Sequence, residues 1–156
     1  MGFIVSQPLR GFMSESPSAA TRQVIAALAA PPRVERLGPI SARFIHALRL
    51  IAVHERMGRD PVPELAGRLG SVEVAAKALI MAQAIAATWP ENIAVSRFCC
   101  RLLSHDEMTI GAFVDAAVQG DRRGFEAALD GLVRAERAHR LWEAALALVD
   151  AEIRAL

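Results

Sequence analysis

A chain of 156 residues fits one domain and can bury about two thirds of its unfolded surface. Apolar residues make up 53% and aromatics only 5%, with no tyrosine, so Ala, Leu, Val and Ile carry the hydrophobicity, and the abundance of Ala and Leu predicts an all-α domain. The net charge of +1 argues against the concentrated basic face that nucleic-acid binding uses, and no apolar run of about 18 residues lacks a charge, so no membrane span is expected.

Residues 1–20 contain Gly2, Pro8, Gly11, Pro17 and four serines without a sustained period. They read as a mobile N-terminal arm that docks through Phe3, Ile4 and Phe12. The start Met1-Gly2-Phe3-Ile4-Val5-Ser6 fits a myristoylation pattern, but the pattern is short and means little in a bacterium. A bacterial, GC-rich origin is the reading of a chain with 17 arginines, a single lysine (Lys77) and much alanine. Glu15 and the prolines interrupt the approach to the apolar run Val24–Ala30, against a secretory signal.

Residues 21–156 read as one compact domain of six or seven helices. The first, Thr21–Ala30, ends at Pro31-Pro32. The next runs from Pro39 to Met57 and stops at Gly58, and a short helix from Asp60-Pro61 reaches Leu69. In the longer one, Phe44, Ile45, Leu48, Ile51 and Ala52 make one apolar face at helical spacing. His46, Leu50, Val53 and Met57 make a second stripe on the other side. A helix apolar on two sides is sandwiched between layers or lies at a subunit contact, so these four residues are the candidate interface.

Ser71 after Gly70 is an N-cap for Val72–Thr88. That helix is apolar apart from Glu73, Lys77, Gln83 and Thr88, which makes it the expected central helix. Trp89-Pro90 closes it. Ser104-x-x-Glu107 is a capping box opening a helix to Gln119, and Gly120-Asp121 joins it to the next. Phe125, Ala128, Leu129, Leu132 and Val133 form the inner face there. Arg134–Arg140 is polar enough for a loop or an exposed helical turn. Leu141–Leu156 is the last helix, with Trp142, Ala145, Val149 and Ile153 facing inward.

The stretch Asn92–Cys100 alone breaks the helical pattern, and it carries the only two thiols, Cys99 and Cys100. A disulfide between neighbours is strained, so reduced thiols and a cytoplasmic setting are expected. With His105 nearby, Cys99 and Cys100 form a candidate redox site. Structural zinc takes four ligands at paired C-x2–4-C spacings, which adjacent cysteines do not supply, so the preferred reading is two packed thiols beside a capped helix. Asp106 and Glu107 stand where acids favour a helix start. His46 and His54 are eight apart and make no H-x-x-x-H clamp; His139 falls in a polar stretch.

Glu64–Ser71 resembles the first helix and turn of a helix-turn-helix motif through Ala66 and Gly70. The resemblance makes residues 64–80 a candidate DNA-binding element. The reading face would hold Val72, Glu73, Val74 and Lys77, poor in the residue types that contact bases and phosphates. No phosphate loop, dinucleotide fingerprint, nucleophile elbow or H-E-x-x-H occurs. No catalytic residue, cofactor or metal ligand is therefore assigned. Residues 1–70 hold nine arginines against five acids, and 71–156 hold nine basic against twelve acidic residues, a division that suits contact within the chain. The expected function is a non-enzymatic cytoplasmic interaction or regulatory module, working as a homo-oligomer or with a protein partner, and not with nucleic acid or membrane. A thiol-based redox or metal sensor and a DNA-binding regulator are the alternatives.

Overall fold

The computed structural model describes residues Ser18–Leu156. The expected docking residues Phe3, Ile4 and Phe12 and the Met1–Ser6 pattern lie outside the described residues. Among the described residues the chain is all-α: seven α-helices, one 3-10 turn and no β-strand. The described chain divides between Ala30 and Pro31, at the start of the Pro31-Pro32 pair, neither of which has a backbone N–H. On the N-terminal side is α1 (Ala19–Ala29). It starts two residues earlier than its sequence pattern suggests because Ser18 Oγ accepts from the Thr21 N–H at 3.1 Å.

The second unit, Pro31–Leu156, holds the other helices. After a 3-10 turn at Val34–Arg36 come α2 (Pro39–Arg56), α3 (Val62–Leu69) and α4 (Val72–Thr88). Then follow α5 (His105–Val118), α6 (Arg122–Leu129) and α7 (Ala135–Arg154). As the sequence suggests, α4 is central: it packs against α7, α3 and α2 and buries Val74, Ala75, Ala78, Met81, Ala82 and Ile85. The polar stretch 134–140 is mostly helical, so α7 starts well before Leu141.

α2 lies between α4 and α5, with further contact to α3. Its two apolar faces are thereby largely explained as layers of a single unit: Phe44, Ile45, Leu48 and Ile51 are buried, and so is Leu50, beside Leu65 of α3. Its first turn is capped from elsewhere. Gly38 has no side chain to satisfy the free N–H groups there, and Asp115 of α5 meets one of them, the N–H of Gly38 itself. The Asp115 carboxylate accepts from the Gly38 N–H at 3.1 and 3.3 Å and from the buried Ser41 hydroxyl at 2.5 Å. A Cβ at position 38 would stand 2.6 Å from Asp115 Oδ1, so the carboxylate occupies the space that any other residue needs.

α3 and α4 meet at a corner made by Gly70, at φ 74°, and Ser71, whose hydroxyl accepts from the Val74 N–H. The C-terminal carbonyl of α3 at Leu69 accepts from Arg43 Nη2 at 2.9 Å, while Arg43 Nε donates to both oxygens of Glu152 at 3.1 Å. This ties α2, α3 and α7 together. It also sets the rotation of α7: Glu152 is buried, and Ile153, expected to face inward, is 58% exposed. On the opposite side, Phe125 of α6 stacks edge-on between Phe113 and Trp142, at 5.2 and 5.0 Å between ring centres.

Two substitutions test this account by reversible denaturation. Asp115→Ala strips the cap from α2 and leaves Ser41 buried without a partner, and should cost about 2 kcal/mol. Gly67 lies within α3 with no described residue near its Cβ position, so Gly67→Ala should stabilise by about 0.5–1 kcal/mol. Equal effects from the two would refute the capping argument.

Candidate functional site

The irregular stretch singled out by sequence joins α4 to α5, and a single side chain from the middle of α2 holds it. Arg49 stands in an apolar run, Leu48-Arg49-Leu50-Ile51, and its side chain is fully buried. Nε donates to Glu107 Oε1 at 2.6 Å and Nη2 to Glu107 Oε2 at 2.8 Å. Nη1 donates to the carbonyls of Arg97 (3.4 Å) and Cys100 (2.5 Å), and Nη2 also to that of Leu102 (2.9 Å). These five bonds match the five N–H donors of a guanidinium.

Glu107 is equally occupied. Besides Arg49, Oε1 accepts from the Ser96 N–H at 3.1 Å and Oε2 from the Ser104 N–H at 2.8 Å. The Ser104 hydroxyl completes the expected capping box by accepting from the Glu107 N–H. Burial pushes the Glu107 carboxyl up. The hydrogen bonds from Arg49 and Ser104, the Arg49 charge and the Ser96 amide outweigh it and hold the carboxyl below its ordinary range. A buried pair with every donor and acceptor filled positions the chain and leaves no valence for a substrate.

What the pair positions is a surface. The chain turns at Arg97–Cys100, closed by Cys100 N–H to the Arg97 carbonyl at 2.9 Å. Cys99 is exposed at this turn and Cys100 is half-buried, both as free thiols. The expectation of two packed thiols therefore fails for Cys99, because Arg49 takes the carbonyls on either side of it and leaves its side chain outside. His105 is exposed at the first position of α5, and no hydrogen bond joins it to either sulfur. Among the described residues, no three His, Cys, Asp or Glu side chains are placed to share a metal ion.

The candidate interface residues on α2 do not share one environment. Leu50 is buried, Val53 is half-buried, and His46 and Met57 are exposed. Leu50 thus belongs to the core between α2 and α3 rather than to a free stripe. His46 and Leu50 instead line a groove of about 310 Å3 with Leu65, Arg68, Leu69 and Phe98. The His46 ring meets the Phe98 edge at 6.0 Å, and the Arg68 guanidinium lies over Phe98 at 4.9 Å. Burial and the Arg49 charge push the His46 imidazole below its ordinary value against the pull of Glu107 and Glu35, which favours the neutral ring.

On the other side of α2, a larger groove of about 610 Å3 runs between α2 and α4 and is walled by residues 91–95. Its apolar lining includes Ile51, Ala52, Ala82, Ala86, Ile93 and Val95. Alanine at three of those places leaves the room. No family model, curated protein or solved structure matches the chain.

The remaining sequence candidates have structural partners. His54 Nε2 meets Glu64 Oε2 at 2.8 Å, and Arg68 donates to Glu64 Oε1. These hydrogen bonds, with His54 first and then Arg68, hold the Glu64 carboxyl below its ordinary range. His54 Nδ1 is buried without a hydrogen-bond partner among the described residues. The corner resembling a helix-turn-helix is present at α3–α4. The outward residues of α4 include Val72, Glu73, Ile80 and Gln83, with Lys77 its sole cation. Sequence reasoning missed Arg49 altogether. The available signal was a lone arginine inside an apolar helical run, because such residues are almost never fully buried unless paired.

Glu107→Ala should therefore cost about 3–5 kcal/mol by leaving Arg49 charged and unpaired. Arg49→Met with Glu107→Leu should cost less than Glu107→Ala alone. The Glu107 carboxyl, lowered in the fold, contributes stability that is complete above 4.5, its ordinary value, and is lost as pH falls through its own lower value. Urea titrations across that range should show a shallower acid loss in the double variant. An identical pH dependence would remove Glu107 as a source of acid sensitivity.

Proposed function

We propose that the protein is a non-enzymatic interaction or regulatory module of the bacterial cytoplasm, acting through self-association or a protein partner. The observation carrying this reading is the saturation of the Arg49–Glu107 pair. The strongest charged cluster of the second unit spends every donor and acceptor on fixing residues 96–104. Around it are two open grooves and exposed apolar side chains, among them Met57 at 61% exposure. Catalysis calls for convergent groups with free valence, whereas recognition calls for a surface held in advance. His46, Val53 and Met57 form the self-association surface in this reading.

Sedimentation velocity across micromolar concentrations tests self-association. The wild type should show a concentration-dependent dimer, and Val53→Glu should give a folded monomer. A wild type that stays monomeric would end the self-association reading.

A second reading, a thiol-based sensor, draws support from the exposure of Cys99 on a turn whose backbone is pinned. Alkylation followed by mass spectrometry should label Cys99 faster than Cys100. If oxidation with diamide leaves both sedimentation and thermal stability unchanged, the sensor reading fails.

A further inference from the structure

Residues 91–96 carry a feature that helical packing does not use. The sequence Glu91-Asn92-Ile93-Ala94-Val95-Ser96 alternates β-branched residues with smaller or polar ones, a pattern suited to extended chain. Its hydrogen bonds have the matching period of two. Ala94 gives its N–H to Asp106 Oδ2 at 2.7 Å, and its carbonyl accepts from the Ser104 hydroxyl at 2.5 Å. Two residues on, the Ser96 N–H goes to Glu107 at 3.1 Å. In an extended chain, both main-chain groups of one residue point to the same edge, and successive residues alternate between edges. One edge of this segment is therefore docked on the first turn of α5. The other edge consists of the N–H and C=O groups of Ile93 and Val95, and none of these four groups has a hydrogen-bond partner among the described residues.

That free edge borders the 610 Å3 groove, which Ile93 and Val95 themselves help to line. The floor offered by α2 and α4 is apolar and is kept open by the small side chains of Ala52, Ala82 and Ala86. Glu55 and Glu91 stand on the rim, and neither has an ion-pair partner among the described residues. Arg56, the one cation of the rim, turns its Nε back to the Ala52 carbonyl of its own helix at 3.2 Å.

Resting on the interaction reading above, we infer that this groove receives an extended peptide segment of a protein partner, paired as an added strand to the main chain of Ile93 and Val95. The segment carries apolar residues at alternate positions, which seat on the alanine floor, and a Lys or Arg that meets Glu55 or Glu91. Main-chain hydrogen bonds supply affinity in this mode and the alternate side chains supply selectivity. The edge is already fixed through Asp106, Ser104 and Glu107, so binding orders little of this protein. Nothing of the usual protection of an open edge, a proline or an inward charge, is placed at Ile93–Val95.

The parity of the hydrogen bonds provides the test. The Val95 N–H bonds nothing among the described residues, so Val95→Pro removes a donor to the partner without removing one from the described fold. Random linear dodecapeptides displayed on phage are panned against the full-length protein, and the enriched peptides are synthesised and titrated by fluorescence anisotropy. The expected result is enrichment of alternating apolar residues with Lys or Arg. Val95→Pro should lower affinity about tenfold, the worth of one or two main-chain hydrogen bonds, with an unchanged circular dichroism spectrum. N-methylation of the peptide at alternate residues should weaken binding at one parity only, an arm that stands even if Val95→Pro proves unstable. Glu55→Gln with Glu91→Gln should weaken the basic peptides and flatten their salt dependence.

Failure to enrich any peptide, or binding indifferent to methylation at both parities, overturns the inference. So does a wild-type dimer dissociated by Val95→Pro, which would make the occupant a second copy of this chain. A dimer sensitive to Val53→Glu but lacking peptide binding leaves the interaction reading in place and removes only the groove. Peptide binding by a monomeric protein does the reverse to the self-association surface.

Discussion

Transfer of a guanidinium from water to a protein core costs several kcal/mol even after relaxation, unless its charge and every N–H are met. Arg49 sits among Ile45, Leu48 and Ile51 on a helix whose own carbonyls are committed to its ladder. Neighbouring helices have the same difficulty, since mid-helix carbonyls are already taken. Acceptors must come from a carboxylate and from chain that is not helical. Glu107 supplies the first, and the carbonyls of Arg97, Cys100 and Leu102 supply the second. The irregular stretch between α4 and α5 is thus a requirement of Arg49 rather than a lapse in helical pattern.

The same carboxylate couples three pieces of structure that would otherwise be independent. Glu107 closes the capping box of α5, neutralises the centre of α2 and holds Ser96 and Ser104 in place. Eight residues further along α5, Asp115 reaches the start of α2 and caps it. α5 therefore fastens α2 at its first turn and at its middle, and α4 closes the other side. Within that clamp both apolar faces of α2 find most of their cover, and Arg43 joins in by tying α2 to the end of α3 and to Glu152 of α7.

How far the sequence made this legible depended on whether the deciding contact was local. The helix starts at Ser71, Ser104 and Asp121 were readable because a cap bonds three residues ahead in the same segment. The central place of α4 was readable from its nearly continuous apolar character. Contacts across the chain were not. Nothing near Gly38 announces Asp115, and nothing near Glu152 announces Arg43, so the rotation of α7 was misjudged at Ile153. Cys99 and Leu50 were misplaced for the same reason: the first is turned outward by bonds from α2, the second inward by Leu65. Apolar spacing describes what a face prefers, whereas a buried charge with a distant partner can overrule it.

The candidate site follows from where hydrogen-bonding capacity is spent and where it is left. Arg49, Glu107 and Asp115 are bound to internal partners and are consumed in holding the chain. Capacity remains at the Cys99 turn, which Arg49 holds, and along the main chain of Ile93 and Val95, beside the bonds from Asp106, Ser104 and Glu107. A segment held by side-chain bonds on one edge needs no further ordering to present the other. The cost of a fixed conformation, which a free loop would meet at each encounter, is met here during folding by the bonds from Asp106, Ser104 and Glu107. In the proposed peptide complex, recognition runs through the backbone and so depends on position and not on the reactivity of any residue.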